Sequence, residues 1–153
     1  MRYDHLGYDI SEDMLLPLKG YVTESELRSP PDTDANNNKA LLAVKNGRTT
    51  GTTFGRVNGL ESITRTGTSH PALELIVCGY DKAKDQKVAF SELGDSGAIV
   101  AGRDGRVIGL LTGGRGPTGS TDLSYVTPYY ALKEVLDHKF PGFHLLDVDT
   151  QVT

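Results

Sequence analysis

Residues 92–100 combine side chains whose types and spacing suit covalent chemistry. Ser96 lies between Gly94-Asp95 and Gly97, just before an apolar, β-branched run. Because glycine adopts backbone conformations that other residues avoid, Gly94 and Gly97 permit tight turns and let backbone N–H groups approach a ligand. Acyl transfer uses a hydroxyl held beside such donors, which stabilise the oxyanion formed when the hydroxyl attacks a carbonyl group. The stretch therefore predicts nucleophilic attack by Ser96.

Other kinds of site find less support in the sequence. The same four residues can form an ordinary turn, in which the aspartate and serine bond local backbone groups. The four histidines are scattered and Cys78 is the only cysteine, so no metal-binding spacing is present. Residues 113–116 are glycine-rich but lack the lysine and the strand-to-helix context of a phosphate-binding loop. We expect no cofactor or metal, and we expect Cys78 to be a small buried hydrophobe.

Composition limits the fold and the partners. A chain of 153 residues is long enough for one domain with a core, and 18 glycines against 7 prolines favour a β-rich domain with many turns. The net charge of -4, without a basic run, argues against a nucleic-acid partner. No apolar stretch is as long as a membrane span, and the first residues do not resemble a signal peptide. With a single cysteine, these features predict a cytoplasmic protein that does not bind membranes.

The elements that must position Ser96 begin after a lead-in, residues 1–39. Its capping-box pattern, Thr23 with Glu26, predicts a short helix that stops before Pro30. The lead-in has too little apolar surface for a core of its own. From residue 40 the pattern becomes strand and turn, and Asn46-Gly47, Asn58-Gly59 and Asp104-Gly105 are predicted as turns.

The last elements are a strand over residues 123–126 and a helix. Thr127 is predicted as its cap and Pro128 as its first residue, with a buried stripe of Leu132, Val135 and Leu136. About six short antiparallel strands before one C-terminal helix indicate an all-β domain over residues 40–145, either a small barrel or a sandwich. Residues 146–153 form a tail.

The order of these motifs resembles the C-terminal half of a chymotrypsin-like (trypsin-like) serine protease. Gly94-Asp95-Ser96-Gly97 matches the nucleophile motif of that family. Residues 112–114 occupy the place of its substrate-pairing segment, and residues 124–127 lead into a C-terminal helix as they do there. Residues 45–51 are similar to the first strand and turn of the second barrel in disulfide-free relatives. The likeness covers roughly residues 40–140 and is greatest to trypsin-like proteins predicted in mushroom-forming fungi.

The resemblance implies a fold and a set of roles. The fold would be a single six-stranded antiparallel barrel, the second of the two in such a protease. Ser96 would be the nucleophile, the N–H groups of Gly94 and Ser96 the oxyanion hole, and Asp95 a buried structural carboxylate. The substrate would be a peptide or protein, held extended along its binding segment, which is Thr112, Gly113 and Gly114. Phe90, Ser91 and Ser124 would lie near the pocket for the substrate side chain.

The resemblance leaves the general base unassigned. The catalytic triad needs a histidine and a carboxylate, which the family takes from the barrel that precedes the nucleophile. Only His5 and His70 precede Ser96 and His138 and His144 follow it, none in a matching motif, so surface or capping roles are expected. We therefore expect a serine endopeptidase-type domain that is incomplete without a partner, either a complementary N-terminal barrel or a second copy. The alternative is a catalytically inactive, protease-derived binding module.

Overall fold

The computed structural model describes residues 15–33, 37–65, 71–79, 89–116 and 123–145. Within these ranges the chain forms six strands, with a short helix before them and a longer helix after them. In chain order the elements are α1 (Glu24–Arg28), β1 (Leu41–Gly47), β2 (Gly51–Thr64), β3 (Ala72–Gly79), β4 (Ile99–Gly102), β5 (Val107–Arg115), β6 (Leu123–Pro128) and α2 (Tyr129–Lys139). The all-β prediction is confirmed.

The strands close into a barrel in the order β1-β2-β3-β6-β5-β4, and every neighbouring pair is antiparallel. Three consecutive strands, β1 to β3, pair side by side, and β4 then returns to pair with β1. This arrangement is a Greek key. Closure gives each strand two neighbours and removes the free edges of an open sheet. Of the two architectures left open by the strand pattern, the molecule is therefore the barrel.

Side-chain alternation along the strands fills the barrel. In β3, Leu75 and Val77 point inward and are fully buried, whereas the next residue, Cys78, is exposed. The expectation of a buried Cys78 was wrong because the pleat turns it outward. β5 is buried on both faces at Val107 and Ile108. The main core cluster consists of Val22, Leu27, Leu41, Ala43, Val57, Leu75, Val77, Phe90, Val100, Ile108, Leu111 and Val126.

The lead-in packs on the barrel and contributes to its core. Val22 is 1% exposed and Leu27 is 2% exposed, and both belong to the main cluster. The predicted capping box is present, since Thr23 and Glu26 exchange side-chain and backbone hydrogen bonds at the start of α1. Glu26 also forms an ion pair of 2.8 Å with Arg106. The lead-in is thus joined to the barrel by burial and by charge.

Two glycine-containing turn signals have different outcomes. Asp104-Gly105 lies between β4 and β5 as predicted, with Gly105 at φ +80°. The turn predicted at Asn58-Gly59 was wrong, since both residues lie inside β2, where the pairing register with β3 shifts between Asn58 and Glu61. Glycine within a strand often marks such a bulge or a close approach of backbone, and here a Cβ on Gly59 would lie 3.3 Å from the carbonyl oxygen of Leu27.

The start of α2 also differs from the prediction. The helix begins at Tyr129, with Pro128 as an N-cap that makes no side-chain hydrogen bond. Thr127 does not cap it because its hydroxyl donates instead to the carboxylate of Glu74 at 3.0 Å. The predicted stripe is not fully buried, as Val135 is 54% exposed, whereas Tyr129 is only 6% exposed. The helix therefore packs mainly through its first turn.

Candidate functional site

Ser96 occupies the corner between two consecutive tight turns. The N–H of Asp95 donates to the carbonyl of Glu92 at 3.1 Å, and the N–H of Ala98 donates to the carbonyl of Asp95 at 3.0 Å. Gly94 and Gly97 lie third in these turns with φ of +102° and +89°. A β-turn with positive φ at its third residue selects glycine, so the glycine spacing predicted from the sequence is confirmed as turn chemistry.

The backbone donors around Ser96 are unpaired. Over the described ranges, neither the N–H of Gly94 nor that of Ser96 donates to another protein group, and the Ser96 hydroxyl has no hydrogen-bond partner. Both residues are exposed. The hydrogen bond from the N–H of Gly97 to the carbonyl of Leu111, at 2.7 Å, holds the turn beside β5. Two free donors and a free hydroxyl therefore lie next to each other on a fixed turn.

Asp95 is the buried anchor of this turn. Its carboxylate accepts hydrogen bonds from the Lys45 ammonium at 3.1 Å, the Thr50 hydroxyl at 2.7 Å and the Thr49 N–H at 2.7 Å. It also accepts from the N–H of Glu92 at 3.1 Å. Burial alone would raise the pKa of Asp95, but these hydrogen bonds outweigh it and hold that pKa well below its usual range. Asp95 is thus a buried, ionised carboxylate that holds this turn.

Lys45 supplies the positive charge for that anchor. The side chains of Lys45 and Asp95 are both completely buried, and the Lys45 ammonium also contacts the Thr50 hydroxyl and the carbonyl of Gly51. It lies 5.9 Å from the centre of the Phe90 ring. A Cβ on Gly47 would collide with the Asp95 carboxylate, so only glycine leaves room for the anchor. The pair joins the turn of Ser96 to the β1–β2 connection.

Sequence reasoning missed Lys45. The signal in the sequence was that Lys45 directly continues the apolar run that opens β1. A lysine buried in such a position is nearly always paired, so this signal indicates an acidic partner. The partner could not be read from the sequence, since the two residues are separated by 50 positions.

A pocket of about 380 Å³ opens beside Ser96. Its lining residues are Ser91, Glu92, Leu93, Ser96, Leu111, Gly113, Gly114, Arg115 and Gly116. Among the lining side chains, Leu111 is buried and Ser91 half-buried, whereas Glu92 and Arg115 are exposed. The pocket therefore has an uncharged buried part and two charged side chains at exposed positions.

The residues expected around a side-chain pocket occupy different positions. Ser91 lines the pocket, and its hydroxyl is 2.6 Å from that of Ser124, which is fully buried behind it. Phe90 belongs to the core and does not line the pocket. The Thr53 hydroxyl fixes the carbonyl of Phe90 at 2.6 Å. Ser91 is therefore the polar group that a ligand side chain would meet.

The end of β5 forms one wall of the pocket and carries an unpaired edge. Gly113 pairs with Tyr125 and Gly114 with Ser124 on β6. On the side of Ser96, pairing with β4 ends at Leu110, and the last backbone bonds are those of Leu111 with Gly97 and Ala98. Within the described part of the chain, residues 113–115 therefore have a strand partner on one side only. Such an edge can pair with an extended peptide.

Thr112 differs from the two glycines after it. Its side chain is outside the pocket, and its hydroxyl donates to the Glu74 carboxylate at 3.2 Å. The structure thus brings Ser96, Gly113 and Gly114 together around one pocket, with Gly94 and Asp95 in the turn that carries Ser96 and with Thr112 outside the lining.

The two histidines that the structure describes do not complete the site. His138 is exposed on α2, and His144 is exposed beyond it, where it lines a separate pocket with Tyr21 and Tyr129. His5 and His70 lie outside the described residues. In the ranges that the structure describes, no histidine hydrogen-bonds to Ser96, and no group of three or more potential ligands is arranged to hold a metal ion.

Comparison with known proteins identifies no family. No protein-family model matches the chain, and no curated protein matches it significantly. Among the described residues, no helix is both long and apolar enough to cross a bilayer.

Proposed function

We propose that this chain is the serine-bearing barrel of a chymotrypsin-like serine endopeptidase, which acts with a histidine supplied by a second barrel or a second copy. One observation carries the proposal. Ser96, with its free hydroxyl and N–H group, lines a pocket whose wall ends in the unpaired edge of β5, and the free N–H group of Gly94 lies in the same turn, two residues away. The resemblance of the motifs to that family supports the same assignment.

Each part of the site has a step in peptide hydrolysis. A substrate pairs with Gly113 and Gly114 in an extended conformation, which brings its carbonyl group to Ser96. Ser96 Oγ bonds to the carbonyl carbon, its proton passes to the supplied imidazole, and the N–H groups of Gly94 and Ser96 stabilise the oxyanion. The imidazole then protonates the departing amine, and water hydrolyses the acyl-enzyme. Asp95 takes no proton in this sequence because the hydrogen bonds from Thr50, Thr49, Glu92 and Lys45 keep its pKa well below the usual range.

The pocket supports a preference for uncharged substrate side chains. Its buried and half-buried lining side chains, Leu111 and Ser91, are uncharged, and its two charged side chains, Glu92 and Arg115, are exposed. Burying an unpaired charge costs several kcal/mol. We infer that the residue on the acyl side of the cleaved bond is apolar or a small polar residue.

A peptide-binding module is the second candidate function. It is favoured by two observations taken together. The pocket and the strand edge are present, whereas over the described residues Ser96 has no base. Such a module would bind extended peptides and release them unchanged. Replacement of Ser96 by alanine would then leave the affinity for a peptide unaltered.

Chemical rescue distinguishes the two functions. A peptidyl diphenyl phosphonate with an uncharged side chain is incubated with the full chain, with and without free imidazole, and the adduct is located by mass spectrometry. Ser96 Oγ bonds to phosphorus and phenoxide leaves, while imidazole accepts the serine proton and passes it to the phenoxide. We expect imidazole to accelerate modification of Ser96 about tenfold, less than the roughly 10²–10⁴ that a positioned base contributes.

Matched variants make the result specific. S96A removes the nucleophile and should abolish the adduct, whereas S25A, which alters an exposed serine on α1, should leave it unchanged. An adduct on another residue, or no acceleration by imidazole, would refute the peptidase proposal. Peptide binding without any adduct would support the binding module instead.

A further inference from the structure

Glu74 is a buried carboxylate outside the catalytic machinery described above. It is 6% exposed, and its two oxygens accept hydrogen bonds from Thr127 at 3.0 Å and from Thr112 at 3.2 Å. Among the described residues no cation forms an ion pair with it, in contrast to Asp95 and its lysine. A buried carboxylate held only by hydroxyl groups is expensive to keep ionised, so its position calls for an explanation.

The two hydroxyl groups belong to different strands. Glu74 lies on β3, Thr127 on β6 and Thr112 on β5, and β6 separates the other two strands in the barrel. The carboxylate therefore spans three neighbouring strands on their outer face.

Thr112 is the point at which β5 becomes irregular. Leu111 pairs with Val126 and Gly113 with Tyr125, so Thr112 is an extra residue without a partner on β6. An extra residue of this kind forms a β-bulge, which bends the strand and redirects the residues after it. In β5 those residues are Gly113 and Gly114, the wall of the candidate site.

The proton of Thr112 has two acceptors. Its hydroxyl lies 3.2 Å from the Glu74 carboxylate and 3.2 Å from the carbonyl oxygen of Tyr125. An ionised Glu74 attracts this proton and ties the bulge to β3. A protonated Glu74 donates to Thr112 Oγ1, and the Thr112 proton then goes to Tyr125 on β6. The bulge thus has two hydrogen-bond patterns, and in the second Thr112 donates to β6 instead of to β3.

We propose that Glu74 is a positioning residue, which sets the conformation of Gly113 and Gly114 through Thr112 and couples that conformation to its own ionisation. Burial raises the pKa of Glu74, and the hydrogen bonds from Thr127 and Thr112 offset part of that effect. The role of the glycines as a peptide-binding wall rests on the proposed function, whereas the link between Glu74 and their conformation does not.

Other titratable groups on the neighbouring strands do not replace Glu74 in this role. On β2, Glu61 is bound by Arg28 and Tyr130. On β6, Tyr125 contributes its carbonyl to the bulge. On β5, Arg115 lies beyond the two glycines and is exposed. None of the three is among the groups that shift the pKa of Glu74.

Amide resonances of the unliganded full chain test the link directly. We expect the ¹⁵N–¹H signals of Gly113 and Gly114 to move through one transition between pH 4 and pH 9, centred above the usual glutamate range. E74Q should abolish the transition, and E92Q, which changes an exposed carboxylate lining the same pocket, should retain it. A transition that persists in E74Q, or disappears in E92Q, would overturn the proposal.

Two further measurements cover the remaining cases. T112V removes the hydroxyl at an exposed position and should also abolish the transition. It therefore tests the link between Glu74 and the two glycines if E74Q does not fold. In the reaction with the phosphonate probe, E74Q and T112V should raise the probe concentration at which modification of Ser96 is half-maximal about threefold to tenfold, the effect expected from the loss of one hydrogen bond. The limiting rate of modification should stay unchanged. A changed limiting rate with unchanged saturation would contradict a positioning role. The titration needs no probe and therefore judges Glu74 even if Ser96 is unreactive.

Discussion

The Asp95 carboxylate accepts hydrogen bonds from both backbone and side chains of the β1–β2 connection, and one more from its own turn. This set fixes the residue next to Ser96 without any help from a ligand. Preorganised donors at the place where charge develops are a main source of catalytic stabilisation. At the scale of single residues, the buried pair of Lys45 and Asp95 therefore serves the geometry of the candidate oxyanion hole.

Removing one partner of this pair should be strongly destabilising. In K45M the Asp95 carboxylate stays buried without its cation, and breaking a buried ion pair in this way costs about 3–5 kcal/mol of the free energy of unfolding. Urea denaturation of K45M and the wild type measures the difference. K133M removes a partly exposed lysine that pairs with Asp137 on α2 and should leave the urea midpoint nearly unchanged.

The double variant K45M/D95N provides the internal check. Because the two side chains are in contact, the double variant should lose less free energy of unfolding than K45M and D95N lose when their separate losses are added. Additive losses would show that the pair is not coupled.

At the scale of elements, the lead-in belongs to the barrel. Leu27 on α1 is 2% exposed and packs in the main core cluster, although it precedes the first strand by more than ten positions. The salt bridge of Glu26 with Arg106 and the parallel bridge of Tyr21 with Val107 hold the segment against β5 and the turn before it. Residues 15–33 thus close one side of the barrel.

A core substitution in the lead-in tests this statement. L27A should lower the free energy of unfolding of the whole barrel by about 2–5 kcal/mol, since truncating a buried leucine loses apolar burial and leaves a cavity. Urea denaturation followed by β-sheet circular dichroism measures the change. L60A, at a position 73% exposed on β2, should stay close to the wild type. A single transition unaffected by L27A would mean that the lead-in does not stabilise the barrel.

At the scale of the whole molecule, two buried carboxylates give opposite responses to pH. The fold lowers the pKa of Asp95, so its contribution to stability is present above the ordinary carboxyl pKa and is lost as the pH falls towards the folded value. The fold raises the pKa of Glu74, so the folded state binds its proton more tightly than the unfolded state. Its contribution to stability therefore decreases as the pH rises from the unfolded to the folded pKa.

The Glu74 effect should be visible as a difference between variants. Relative to the wild type, E74Q should gain stability as the pH rises above the ordinary glutamate pKa of about 4.3, and the gain should level off above the folded pKa. Urea denaturation at each pH unit from 4 to 8 measures this trend. E134Q, which changes an exposed glutamate on α2, should show no such trend. If the difference in free energy of unfolding between E74Q and the wild type stays constant or decreases as the pH rises, the fold does not raise the pKa of Glu74.

The amino-acid sequence by itself determined the features that depend on neighbouring residues. The glycines at positions 94 and 97 specify two turns that project Ser96, Thr23 with Glu26 specifies the start of α1, and Asp104-Gly105 specifies a turn. The apolar pattern determined the all-β class. These predictions hold because backbone conformation and capping are decided within a few residues.

Only the tertiary structure decided which distant residues meet. Lys45 with Asp95 and Glu74 with Thr112 are contacts set by strand register and barrel closure. Asn58-Gly59 shows the same limit, since pairing with β3 turned a strong turn signal into a bulge. The exposure of Cys78 depended on which face of β3 turned inward. Local propensity is worth about 1 kcal/mol at each residue, and the burial and pairing of whole strands override it.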